Sequence, residues 1–161
     1  MNIFLFALFS TEQAHAHYPR RNPNASGVAL GVSTGPVINL SDKHSEISFS
    51  GGFYTDIPLI DTFHITPSTT IYRYKDLSKT DISLSFKFLI PLNNLQLMGG
   101  ISAGLTSTNN LYPHVGIFAG SSFHVVSNLG WFVNVNYLHQ FDDPVVHNVS
   151  VTTGPLFRFS R

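Results

Sequence analysis

Eight histidines stand in this chain of 161 residues, and there is no cysteine. Imidazole can serve as a base or ligate a metal, so the spacing of these residues is weighed first. Without thiols, cysteine-based zinc sites and thiol nucleophiles are excluded. His15 and His17 lie in the N-terminal segment. His44, His114, His139 and His147 fall at or near segment ends where turn residues gather, with Asp42 close to His44 and Asp142 and Asp143 close to His139. His64 and His124 read as inward-facing near the other end. Ligands must converge in space to hold a cation. The loop histidines beside Asp142 and Asp143 could at most assemble a weak external site, so the expectation is solvated histidines, no metal and no cofactor. For hydrolysis, a base must reach a hydroxyl. Alternation turns His139 outward and Ser150 inward, and His147 and Ser150 have the wrong spacing for one face of a strand. There is no phosphate-cradling glycine motif, nucleophile elbow or paired-carboxylate signature.

What must position these residues is a series of short alternating segments. Beyond residue 25 no helical period holds, and no apolar run approaches the roughly 20 residues of a membrane helix. Eight segments alternate with period two: 27–35, 46–56, 62–74, 80–90, 95–106, 114–125, 130–141 and 147–159. The breaks between them alternate as well. Longer or more polar breaks (36–45, 75–79, 107–113, 142–146) take turns with tight ones (57–61, 91–94, 126–129). An even number of strands joined in this way predicts an all-β, eight-stranded antiparallel up-and-down barrel. No shift in composition divides residues 26–161, which form one domain.

The faces separate a soluble sheet from one that crosses a membrane. In 80–90, Ile82, Leu84, Phe86, Phe88 and Ile90 share one face and Ser83, Ser85 and Lys87 the other. Charged residues are only 11% of the chain, and its formal net charge is +0, so no basic stripe points to nucleic acid. The polar faces carry mostly Ser, Thr, Asn and Gly, which suit the crowded interior of a narrow barrel. Aromatics are 13% of the residues and gather near segment ends. Tyr54, Phe63, Tyr72, Phe88, Phe123, Trp131 and Tyr137 are therefore expected to form girdles at the lipid–water interfaces, with Phe157 and Phe159 beside them. Three charges read as inward: Glu46, Lys87 and Arg158. Buried charges need partners, so Glu46 is expected to meet Lys87 or Arg158.

Both chain ends carry signals. Residues 3–9 are apolar, and Ala14-His15-Ala16 is a small-x-small site of the kind cleaved after export, so residues 1–16 read as a signal peptide. Residues 17–25, with two Pro and two Arg, read as a disordered lead-in. At the other end, Thr152-x-Gly154-x-x-Phe157-x-Phe159 resembles the C-terminal β-signal of bacterial outer-membrane proteins. Two features depart from it: Ser160 and Arg161 follow the last aromatic, and Pro155 removes a ladder donor, which in a closed sheet normally requires a bulge. Together with the eight segments, residues 26–161 resemble the small outer-membrane barrels of the outer-membrane protein A, outer-membrane protein X and opacity-protein type.

That resemblance implies an outer-membrane location, lipid as the surrounding partner, and recognition by the barrel assembly machinery. It also implies a monomer whose lumen is filled by side chains, so that no wide pore runs through it. The function expected is non-enzymatic: an envelope or surface protein whose loops could bind an external partner. Outer-membrane lipid A deacylases, small barrels with a lipid-facing His–Ser pair, are the enzymatic alternative, but their His-x-Ser spacing is missing after His139. A soluble lipocalin-like carrier is the third reading, and it requires an apolar interior and a polar outside. Export predicts that N-terminal sequencing of the protein recovered from an outer-membrane fraction begins at His17; a chain that retains Met1 there would contradict the cleavage.

Overall fold

The computed structural model describes residues 27–41, 45–73, 78–92, 95–126, 128–142 and 145–159. The signal peptide and lead-in, and also His44, Ser160 and Arg161, lie outside the described residues. Eight strands follow in chain order: β1 (Ala29–Ser41), β2 (Ser45–Ile60), β3 (Phe63–Arg73), β4 (Ser78–Leu92), β5 (Leu95–Ser107), β6 (Leu111–Val126), β7 (Leu129–Gln140) and β8 (Val146–Arg158). Each pairs antiparallel with the next, and β8 returns to β1, so the sheet is a closed barrel. Among the described residues there is no helix.

Closure fixes the shape. The register that begins at Gly31 runs through Tyr54, Ser68, Ser83, Gly104, His114, Gln140 and Val146, then reaches β1 again at Ser41, ten residues on. A stagger of that size in eight strands tilts them by roughly 40° and leaves a lumen just wide enough to be filled by side chains. Strands β2, β4 and β6 are followed by connections of two residues, 61–62, 93–94 and 127–128. The other connections, 42–44, 74–77, 108–110 and 141–145, are longer. One end of the barrel therefore carries the short connections, the start of β1 and the end of β8, and the other carries the longer connections.

Several strands run further than the alternation predicts. Residues 36–41, part of the longer break expected at 36–45, continue β1, and β2 continues to Ile60. The reason is the ladder. Pro36 and Pro155 both lie in the β1–β8 seam, where pairing lapses opposite them while the register stays constant on either side. No bulge forms at Pro155; the register shifts occur instead at Pro58/Ile60 and at His124/Val126. Backbones approach closely along this seam. A Cβ at Gly154 would strike the Val32 carbonyl, and one at Gly35 the Val151 carbonyl.

The barrel is inside-out relative to a soluble protein. Among the described residues, eight buried side chains are hydrophobic and fifteen are polar or charged. Phe49, Ile82, Ile101 and Ile117 point outward, each at least 60% exposed, and Phe86 and Phe88 share that outer face. Lys87 and Arg158 lie inside. This overturns the lipocalin-like reading, which needs the opposite arrangement. An apolar belt around a closed ladder is the arrangement suited to hydrocarbon, where every backbone polar group must be paired within the protein. Ile101→Arg, in the middle of this belt, is expected to lower stability in lipid vesicles by about 2–4 kcal/mol, read from urea unfolding. A change within about 0.5 kcal/mol, the usual result at a water-exposed surface, would show that the belt does not face lipid.

Candidate functional site: the plugged lumen and the outer rim

Alternation sends every second side chain into the lumen, where they meet in two polar storeys. At the turn end, β2, β3, β4 and β8 bring Asp56, His64, Lys87 and Arg158 together. Lys87 Nζ lies 2.6 Å from Asp56 Oδ1, His64 Nδ1 3.2 Å from Oδ2 and Arg158 Nη2 3.7 Å from Oδ2. The Thr66 hydroxyl donates to Asp56 Oδ1 at 3.0 Å, and Arg158 donates to the Gly27 carbonyl at 3.3 Å. Leu89, Met98 and Phe132, with Tyr54 packed against them, fill the space beside this cluster.

The anion of this cluster is Asp56, not Glu46. Glu46 shares the inward face of β2 with Ser48 and Ser50, but it sits next to the loop end, away from both cations. Asp56 has the same parity and stands at the turn end of its strand, where Lys87 and Arg158 also arrive. The alternating segment 46–56 ends on Asp56, which the pattern alone does not single out; the parity of β2 is the signal that could find it.

At the loop end, a second storey centres on His114, which is 1% exposed. Ser83 Oγ lies 2.8 Å from its Nε2 and Thr106 Oγ1 3.0 Å from its Nδ1. Buried Asp81 interacts with Thr106, Tyr72, Lys79 and His114. His114 is thus an interior residue, not a loop histidine. Among the described residues, this Ser83–His114 contact is the one hydrogen bond between serine and histidine side chains, and it lies inside the wall. Between the two storeys is a cavity of about 140 Å³, lined by small polar side chains such as Ser33, Ser68, Ser85, Ser102 and Asn134.

The expected girdle divides by parity. Phe63, Phe88, Phe123 and Trp131 are outward at the turn end, near Phe157 and Phe159, whose rings meet edge to face at 5.1 Å. Trp131 Nε1 donates to Thr153 Oγ1 at 2.7 Å. Tyr137 is outward toward the loop end. Tyr54 and Tyr72 do not belong to a girdle. Tyr54 packs edge to face on Phe132 at 5.2 Å inside the lumen, and Tyr72 is buried with Val37. Both hold even positions on strands whose even positions face in. In the C-terminal motif, Thr152 faces inward and accepts from Asn136 Nδ2 at 3.1 Å, while Gly154 lines the tight seam. His64 is inward as expected; His124, close to the turn end of β6, is exposed instead.

The remaining histidines meet on the outer wall. His139 and His147 face each other across β7 and β8 with their Nδ1 atoms 3.4 Å apart, and Tyr137 Oη lies 2.7 Å from His147 Nδ1. Ser150 faces the lumen, so the wall separates it from His139.

The buried ion cluster makes a sharp prediction. Asp56→Asn strands two buried cations and is expected to cost about 3–5 kcal/mol, whereas Glu46→Gln changes stability by less than about 0.5 kcal/mol. Urea titration of the vesicle-folded barrel measures both, and equal costs would contradict the assignment of Asp56.

No family model and no curated protein sequence matches the chain. Solved structures do match it. Neisserial surface protein A aligns with a TM-score of 0.76 at 16% identity, covering 83% of this chain and 98% of that one. Ail, the attachment invasion locus protein of Yersinia pestis, aligns at 0.52 and 13% identity over 82% and 99% of the two chains. The outer membrane enzyme PagL aligns at 0.50 and 14% identity over 79% of this chain and 99% of its own. The fold of this chain is that of the small eight-stranded barrels known from bacterial outer membranes.

Proposed function

We propose that this protein is a non-enzymatic barrel of the bacterial outer membrane, an envelope or surface protein that presents short loops outside the cell. The observation that carries this reading is the pairing of an apolar outer belt with a lumen filled by side chains at both ends. Such a barrel is stable in lipid and offers no wide channel. Its sheet is closed, so no strand edge is left to recruit a second copy, which supports a monomer. The orientation follows the turn lengths: tight turns and termini toward the periplasm, longer connections outward. Thr152, Gly154, Phe157 and Phe159 then form the strand that the barrel assembly machinery recognises.

The second reading is a lipid-modifying enzyme. One observation favours it, the presence of outward imidazoles at the loop rim. Against it, Ser150 is on the wrong side of the wall, and the hydroxyl beside His147 belongs to a tyrosine. Incubation of the folded protein with lipid A in mixed micelles, followed by mass spectrometry, separates the two. No release of acyl chain is expected; release that disappears in His139→Ala would replace the first reading with the second.

The assembly assignment is tested separately. Phe157→Ala combined with Phe159→Ala is expected to reduce the barrel recovered from outer membranes about ten-fold while spontaneous refolding into vesicles proceeds, since the loss concerns recognition more than the burial of two rings. Unchanged recovery in cells would remove the assignment.

A further inference from the structure

The cluster of Tyr137, His139 and His147 has a geometry that the envelope role does not use. Each of the three side chains is outward, and each is held by its neighbours. The Tyr137 ring stacks on His147 at 5.9 Å between centroids, and His139 packs edge to face on Phe141 at 4.7 Å. The two imidazoles themselves lie 4.9 Å apart. Such packing fixes ring orientation before any ligand arrives.

Two donor atoms, His139 Nδ1 and Tyr137 Oη, both lie against a third, His147 Nδ1, at 3.4 and 2.7 Å. Neutral imidazole carries one N–H and one lone pair, so His147 Nδ1 cannot satisfy both neighbours with two full hydrogen bonds. A cation placed among the three would take lone pairs from all of them. With metal–nitrogen bonds of about 2.0–2.1 Å, a nitrogen separation of 3.4 Å corresponds to an N–metal–N angle of about 110°, the tetrahedral value. Imidazole nitrogen suits borderline dications such as Zn²⁺ and Cu²⁺ better than Mg²⁺ or Ca²⁺. Among the described residues no three His, Asp or Glu side chains form a cation cage; here the third donor is a phenol.

We propose that Tyr137, His139 and His147 form a site for a Zn²⁺- or Cu²⁺-class cation on the outer wall of the barrel near its loop rim. The two imidazoles supply the strong bonds and Tyr137 the weaker oxygen contact. The remaining positions face outward and stay open to water or another small oxygen ligand, so the site is one of binding and not of a closed structural kind. The site is independent of the envelope role, since it needs only the pairing of β7 with β8.

The test titrates Cu²⁺ and Zn²⁺ into the full chain, prepared without a polyhistidine tag and folded in detergent micelles, with calorimetry for stoichiometry and electron paramagnetic resonance of the Cu²⁺ form. One equivalent with hyperfine coupling to two nitrogens is expected. His139→Ala and His147→Ala should each weaken binding by about ten-fold or more, and Tyr137→Phe by a smaller factor with the two-nitrogen signal retained. His124→Ala, at the opposite end of the barrel, should change nothing. A heat-dependent shift in gel mobility confirms that every variant is folded. Absence of saturable binding by the native chain, or equal affinity in the His139→Ala/His147→Ala double variant, would overturn the proposal.

Discussion

The ladder between β1 and β8 is the contact on which the rest of this molecule depends. Until it forms, two strand edges present unpaired amides and carbonyls, which hydrocarbon cannot satisfy. Once it forms, the ten-residue stagger is fixed, and with it the strand tilt and the width of the lumen. The seam also carries two prolines. Pro36 and Pro155 each withhold a donor there. The barrel tolerates this because the register is held on both sides of each lapse, from Ala29–Arg158 at one end to Ser41–Val146 at the other. Glycine at 35 and 154 lets the two backbones come close enough to do so.

Lumen width decides what the interior contains. A narrow barrel leaves room for Gly, Ser, Thr and Asn at most inward positions and for large side chains only in places. Where large ones occur, they gather in two storeys. The lower one places a single carboxylate, Asp56, between Lys87, Arg158 and His64. A pair of this kind adds little net stability over an apolar filling, but the removal of one partner leaves an uncompensated charge. Its clearer effect is on specificity. Strands β2, β3, β4 and β8 satisfy one another only in the register that aligns these four residues, so the cluster resists a slipped sheet.

Much of this was legible in the sequence, and its misreadings have physical causes. Residues 36–45 read as a break because the stretch is long and polar, yet 36–41 pair with both neighbours as the second half of β1. Tyr54 and Tyr72 were assigned to the interfaces on residue type, although the parity of their own strands turns both inward. His114 reads as a loop-end histidine because it opens the segment 114–125, but β6 begins earlier, at Leu111, and carries it into the lumen. For the two tyrosines parity is the better guide than residue type and position; for residues 36–41 and His114 the cross-strand pairing extends the strand beyond the alternating stretch.

What the sequence determined by itself was the pattern: eight period-two segments, alternating connection lengths, small polar residues on one face and an apolar belt on the other. These follow from chain geometry, since every second side chain must share a face. Which side chains meet was decided only in three dimensions. Lys87 and Arg158 had a carboxylate partner at either end of β2, and nothing local chooses between Glu46 and Asp56. The choice is made by the stagger, which sets the height at which each inward residue arrives, and the stagger exists only when the first and last strands close. The pairing of His139 with His147 across β7 and β8 has the same origin. Adjacent strands and a shared face were readable, but the separation of their nitrogens depends on the cross-strand register.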